Sequence, residues 1–144
     1  MGDYAQIISE LYGLNRDDIF KRDENSFFKY CFSSEINHIP SKYSENRKII
    51  PERKKLLTNE FYRNFSNIVI GTKTYLNLGE ISEIFGVPNK WLTIPLGKIG
   101  EKQREITAFK CEFNYPNIIV CNQLSGAAGW SKEAIKNLVG NLKK

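Results

Sequence analysis

The sequence predicts an α/β fold: a three-layer sandwich around a small, mostly parallel central sheet. Two observations lead there. Short runs rich in β-branched residues, "NIVIGT" at 67–72 and "NIIVCN" at 117–122, are too short for helices and too apolar for surface strands. Segments with helical periodicity stand around and between them, an alternation that builds a sheet covered by helices. With 144 residues, 41% hydrophobic and 26% charged, the chain reads as one globular domain spanning residues 1–144.

Each element has its own warrant. Over 3–14, Tyr4, Ile7, Ile8, Leu11 and Leu14 share one helical face, and Gly13 marks the end. "FFKYCFSSEINHIP", 27–40, starts as an aromatic-rich strand and ends in a polar turn stopped by Pro40, and 41–50 reads as a loop. Pro51 suits the first turn of a helix, where its missing N–H is no loss. That helix places Leu57, Phe61 and Phe65 at four-residue spacing. "NIVIGT" is expected as a central strand buried on both faces. Residues 73–86 read as a helix with Leu76, Ile81, Ile84 and Phe85 inward and Gly86 at its C-terminal end, although Gly79 inside it weakens the pattern. "WLTIPLGKIG" and "EITAFKCEF" read as strand, turn and strand, with Pro95 placing the first at an edge. After "NIIVCN", Ser131 caps a last helix with Glu133 in its first turn and Ile135, Leu138, Val139 and Leu142 along one stripe.

Composition narrows the function classes. No apolar run approaches the roughly 20 residues that span a bilayer, so no membrane partner is expected. "MGDYAQIISE" lacks a basic leader region, and the expected compartment is the cytoplasm. Cys31, Cys111 and Cys121 are odd in number and lack CxxC spacing, so they read as buried free thiols. No metal site and no cofactor are expected.

The net charge is +5, and its distribution matters more than its sum. Arg47, Lys48, Arg53, Lys54 and Lys55 crowd around the start of one helix, and Lys98, Lys102, Arg104 and Lys110 lie further on. Two readings are open: a solvated helix face, or a surface that tracks the phosphates of nucleic acid.

In parallel sheets ligands bind beyond the carboxyl ends of the strands. Three such ends are "SSEINHIP", "GTKTY" and "CNQLSGAAGW". The last offers Asn122, Gln123 and Ser125 beside glycines and alanines that admit close approach of the backbone or, alternatively, tight helix packing. Glu35 and Asn37 alternate with Ile36, so on an extended chain they project to one side. Glu35 is a candidate general base or a solvated turn residue, and the Asn37 amide can donate to and accept from a base edge. His38, the single histidine, excludes a Ser-His-Asp triad with any other histidine and a multi-histidine metal site. "GTKT", 71–74, lacks the GxxxxGK[ST] spacing, which rejects a P-loop. Lys73 near a helix N-terminus is disfavoured by the helix dipole and hints at an anion close by. Trp130, Tyr75 and Tyr43 are either stacking or packing aromatics.

Together the ends "SSEINHIP", "VIGTKTYL" and "IVCNQLSG" resemble the uracil-DNA glycosylase superfamily in order and rough spacing across residues 30–140. The resemblance implies a parallel sheet with its site on the carboxyl edge and a DNA partner. It implies base extrusion in which Asn37 reads the flipped base, assisted by Asn122, Gln123 and Ser125. Leu124 would wedge the duplex, and Arg47, Lys48, Arg53, Lys54 and Lys73 would grip phosphates. Glu35 and His38 would be the catalytic candidates for hydrolysis of an N-glycosidic bond. The chain departs from the family at Asn122 or Gln123, where the family carries histidine, and at Leu124, where it carries proline. A strand with the family's Gly-rich, water-positioning motif is not found ahead of the first helix. The rival expectations are a non-catalytic nucleic-acid or protein interaction module, self-association included, and a small-molecule or nucleotide-binding α/β enzyme.

Overall fold

The fold is that of a computed structural model, which describes residues 2–15, 51–71, 76–122, 124 and 129–143. In chain order the elements are α1 (Gly2–Tyr12), α2 (Pro51–Leu57), α3 (Glu60–Arg63), β1 (Asn67–Ile70), α4 (Leu78–Phe85), β2 (Trp91–Ile99), β3 (Arg104–Asn114), β4 (Asn117–Val120) and α5 (Lys132–Gly140). The strands form a sheet in the order β1-β4-β3-β2.

The sheet corrects the expected mostly parallel arrangement: it is mixed and mostly antiparallel, with one parallel pair. Connection length is the reason. Only Tyr115 and Pro116 lie between β3 and β4, and a two-residue turn can join only antiparallel neighbours. A parallel pair needs a crossover of a dozen or more residues, and β1 and β4 have one. Those two run parallel in register, Asn67 opposite Asn117 through Ile70 opposite Val120. The two similar runs in the sequence are therefore direct neighbours, and their leading asparagines pair: Asn117 Nδ2 donates to Asn67 Oδ1 at 2.9 Å. A second correction follows from the order. β1 lies at the edge of this sheet and is only half-buried for most of its length, whereas β4 is buried at every position. β2, with Pro95, takes the opposite edge, where a missing N–H is tolerated.

The described chain divides into two compact units, and β2 and β3 contribute residues to both. One unit holds α2, α3, β1, α4, β4, Trp91–Ile94 of β2 and Ala108–Asn114 of β3. Its core joins Leu57, Ile70, Leu76, Ile81, Ile84, Phe85, Val87, Cys111, Ile118 and Val120. α4 is shorter than the helix expected over 73–86, because Asn77 starts it. The Asn77 side chain accepts from the Glu80 N–H at 2.8 Å, and Glu80 Oε2 accepts from the Asn77 N–H at 3.0 Å. Gly79 thus sits in the first turn rather than mid-helix, where a Cβ would crowd the capping Asn77 oxygen at 3.2 Å. Gly86 closes the helix in the left-handed region, φ +64°, as its glycine predicts. The single helix expected after Pro51 is instead two. Thr58 Oγ1 donates to the Lys55 carbonyl at 2.6 Å, and the Asn59 side chain caps α3 by accepting from the Phe61 N–H.

The other unit holds α1, Pro95–Ile99 of β2, Arg104–Thr107 of β3 and α5. α1 packs with α5. Ile7 and Ile8 are buried on α1, and Ala134, Ile135, Leu138 and Val139 on α5. Ser131 caps α5 as expected, its hydroxyl accepting from the Ala134 N–H at 3.1 Å. The helix ends at Gly140, two residues short of Leu142, which therefore lies outside its stripe. Asn137 Nδ2 donates to the Leu96 carbonyl at 2.7 Å and ties α5 to β2.

Candidate functional site

The parallel pair sets one rim. Ile70 lies opposite Val120, and the Cys121 N–H donates to the Ile70 carbonyl at 2.9 Å, so Gly71 and Asn122 leave the sheet side by side. They lie just after β1 and β4 in two of the three strand ends singled out in the sequence. Asn122 is half-buried, and Cys121 just before it is fully buried; neither it nor the buried Cys111 is in a disulfide.

The cationic surface is built on α2 and α3. Leu57 is buried while Glu52, Lys55 and Leu56 are exposed, so among its described side chains α2 turns Leu57 inward and much of its polar surface outward. Lys54 Nζ meets Glu83 Oε2 of α4 at 3.1 Å. Arg63, the last residue of α3, lies against Gly86, so close that a Cβ there would stand 3.0 Å from Arg63 Nη2. Glu83 and Gly86 are three residues apart, one helical turn, so Lys54 and Arg63 stand along the same end of α4. A cation there also meets the negative end of the helix dipole. Leu56 of α2 and Phe61 of α3 are 47% and 46% exposed.

The predicted site residues fare differently. Lys54 is on this surface. Arg53 is in α2, with no description of its side chain. Glu35, Asn37, His38, Arg47, Lys48, Lys73, Gln123 and Ser125 lie outside the described residues, as do Cys31, Tyr43 and Tyr75. Leu124, expected to wedge a duplex, is 3% exposed, which makes it a core side chain in this structure rather than one presented to DNA. Trp130 packs: it is buried and forms an isolated antiparallel bridge with Ile99.

Gly129 answers in part why "SGAAGW" is so rich in small residues. Its φ is +65°, and a Cβ on it would stand 3.1 Å from Gly100 Cα, while its carbonyl accepts from the Gly100 N–H at 2.9 Å. That glycine serves close backbone packing. Sequence reasoning missed Arg63 and the exposure of Phe61. Asn59 followed by Glu60 was the available signal, since a cap and an acidic first residue restart the helix and turn its face.

No helix among the described residues is long and apolar enough to cross a membrane. No family model matches the chain, and neither a curated protein nor a solved structure matches it.

Proposed function

We propose that the chain is a nucleic-acid-binding module whose α2–α3 surface meets phosphates. One observation carries the reading: Lys54 and Arg63 are brought to the same end of α4 while Lys55 beside them is exposed. Cations on a helical surface with little buried beneath them suit backbone contacts, which are independent of sequence and sensitive to salt. The net charge of +5 favours the same class of partner.

The test is fluorescence anisotropy with labelled oligonucleotides across a salt series. Binding is expected to weaken as salt rises. Replacing both Lys54 and Lys55 by alanine is expected to lower affinity and flatten the slope of log affinity against log salt by about one unit per lost phosphate contact. An unchanged slope in that variant removes the surface from the interface. A uracil-containing oligonucleotide in the same experiment separates binding from catalysis. Abasic-site formation lost on Glu35→Gln would extend the reading to N-glycosidic hydrolysis; binding without cleavage leaves the module.

A further inference from the structure

We propose that the outer edge of β2 pairs with the same edge of a second copy of this chain, antiparallel and about a two-fold axis at Leu92. β2 stands at one end of the sheet, and among the described residues no strand pairs with its outer side over Trp91–Ile94. That stretch lies within one compact unit. The other end of the strand is closed: Ile99 bridges to Trp130, and the Lys98 carbonyl accepts from the Ser131 N–H at 3.1 Å. One bond fixes the direction of the backbone groups in the open stretch. The Lys90 carbonyl accepts from the Glu112 N–H of β3 at 2.9 Å, so Lys90 turns its backbone toward β3. Alternation turns Leu92 and Ile94 the same way, and leaves the N–H and carbonyl of Trp91 and of Thr93 directed outward. Pro95 falls in the outward set too, where its missing N–H leaves no gap in the β3 ladder.

Self-complementarity selects the occupant. With the axis at Leu92, Trp91 of each copy stands opposite Thr93 of the other, and both residues donate and accept. The ladder stops at Pro95, which has no N–H to give. Leu92 meets its own counterpart at the non-hydrogen-bonded position, where side chains come closest. Trp91 packs against the core, so Leu92 lies on the opposite face of the strand, 50% exposed, and the pairing would cover it. Charge permits the match. Trp91 to Gly97 carries no ionisable side chain, whereas edges that stay single are guarded by charges. Lys90 is two positions from the axis, which keeps the two copies of it about 13 Å apart along the strands, beyond a Debye length.

The experiment is sedimentation equilibrium of the full chain up to about 0.5 mM, where a small interface should give a reversible monomer–dimer equilibrium. Each copy carries +5, so salt should strengthen the dimer, the reverse of its effect on oligonucleotide binding. Leu92→Asp sets like charges opposite each other, and Thr93→Pro removes an outward N–H from each copy; each should weaken the dimer by roughly tenfold or more. Leu56→Asp, on a leucine of α2 exposed to a similar degree, should leave it unchanged. Circular dichroism confirms that each variant is folded. Cysteine cross-linking reads the register independently, in a Cys31→Ser background because Cys111 and Cys121 are buried. Leu92→Cys should give a disulfide-linked dimer with diamide, which takes up the two electrons and two protons that the thiols lose. Ile94→Cys should not, since its two copies would stand about 13 Å apart along the strands. A chain that stays monomeric across the whole range overturns the proposal. A dimer indifferent to Leu92→Asp and Thr93→Pro, or equally weakened by Leu56→Asp, overturns it as well. Cross-linking through Ile94→Cys but not Leu92→Cys overturns the register. None of these results bears on the phosphate-binding reading, which oligonucleotide affinity tests separately.

Discussion

α4 and the α2–α3 pair belong to the same compact unit, and their sequences look alike, with apolar and charged residues at helical spacing. They end in opposite roles. α4 buries Ile81, Ser82, Ile84 and Phe85, half of its eight residues. α2 buries Leu57, and α3 buries nothing. α4 is also tied at both ends. A reciprocal cap fixes its start, Gly86 fixes its stop, and the buried Ser82 hydroxyl accepts from Trp91 Nε1 at 3.3 Å. Trp91 Nε1 donates as well to Asn89 Oδ1 at 2.8 Å, so the chain leaving α4 is held against it. The difference teaches that periodicity alone does not make a core helix. Continuous periodicity with closed ends does, whereas a helix interrupted at Thr58 and Asn59 loses its face and is left for other uses.

The largest effect should fall on α4. Ile81 is fully buried, so Ile81→Ala loses the transfer energy of its side chain and leaves a cavity, a cost of about 2–5 kcal/mol. Leu56→Ala, on a side chain 47% exposed, should change stability by less than about 0.5 kcal/mol. Urea unfolding of the two variants measures the contrast. Equal losses would mean that α2 is as much a part of the core as α4.

How far these roles were legible in the sequence depends on the kind of signal. Gly86, Ser131 and Pro95 announced a helix end, a cap and an edge strand because each imposes a local constraint that tertiary context rarely overrides. Strand direction is not local, yet the two residues between "CEFN" and "NIIV" contained it, since no crossover fits there. The burial of Leu124 was not legible, because a leucine in a polar loop has the same sequence signature whether it points in or out. The exposure of Phe61 was not legible from its four-residue spacing to Leu57, because Asn59 restarts the helix between them.

A smaller effect sharpens the comparison at the caps. Asn77→Ala removes the acceptor for the Glu80 N–H and frees Glu80 from its return bond, which should cost about 1 kcal/mol. Asn59→Ala removes the bond from the Phe61 N–H, but the helix it starts is one exposed turn, so the loss should be well under that of Asn77. Thermal melts of both variants test the order. A reversed order would make α3 the better anchored of the two.

The smallest effect lies where the regions touch. The Lys54–Glu83 pair joins α2 to α4 with its side chains 32% and 71% exposed. Solvent screens such a pair, and its net worth to folding should be under about 1 kcal/mol. Glu83→Gln removes the carboxylate and keeps the shape, so the urea midpoint should barely move. On the proposed reading, oligonucleotide binding should instead tighten by about twofold, because Glu83 would compete with phosphate for the same ammonium group. The two readouts separate two roles for one contact. A large loss of stability with no change in binding would mean that the pair anchors α2 to the core. A tighter complex at unchanged stability would mean that the carboxylate holds Lys54 in place until a stronger anion takes it.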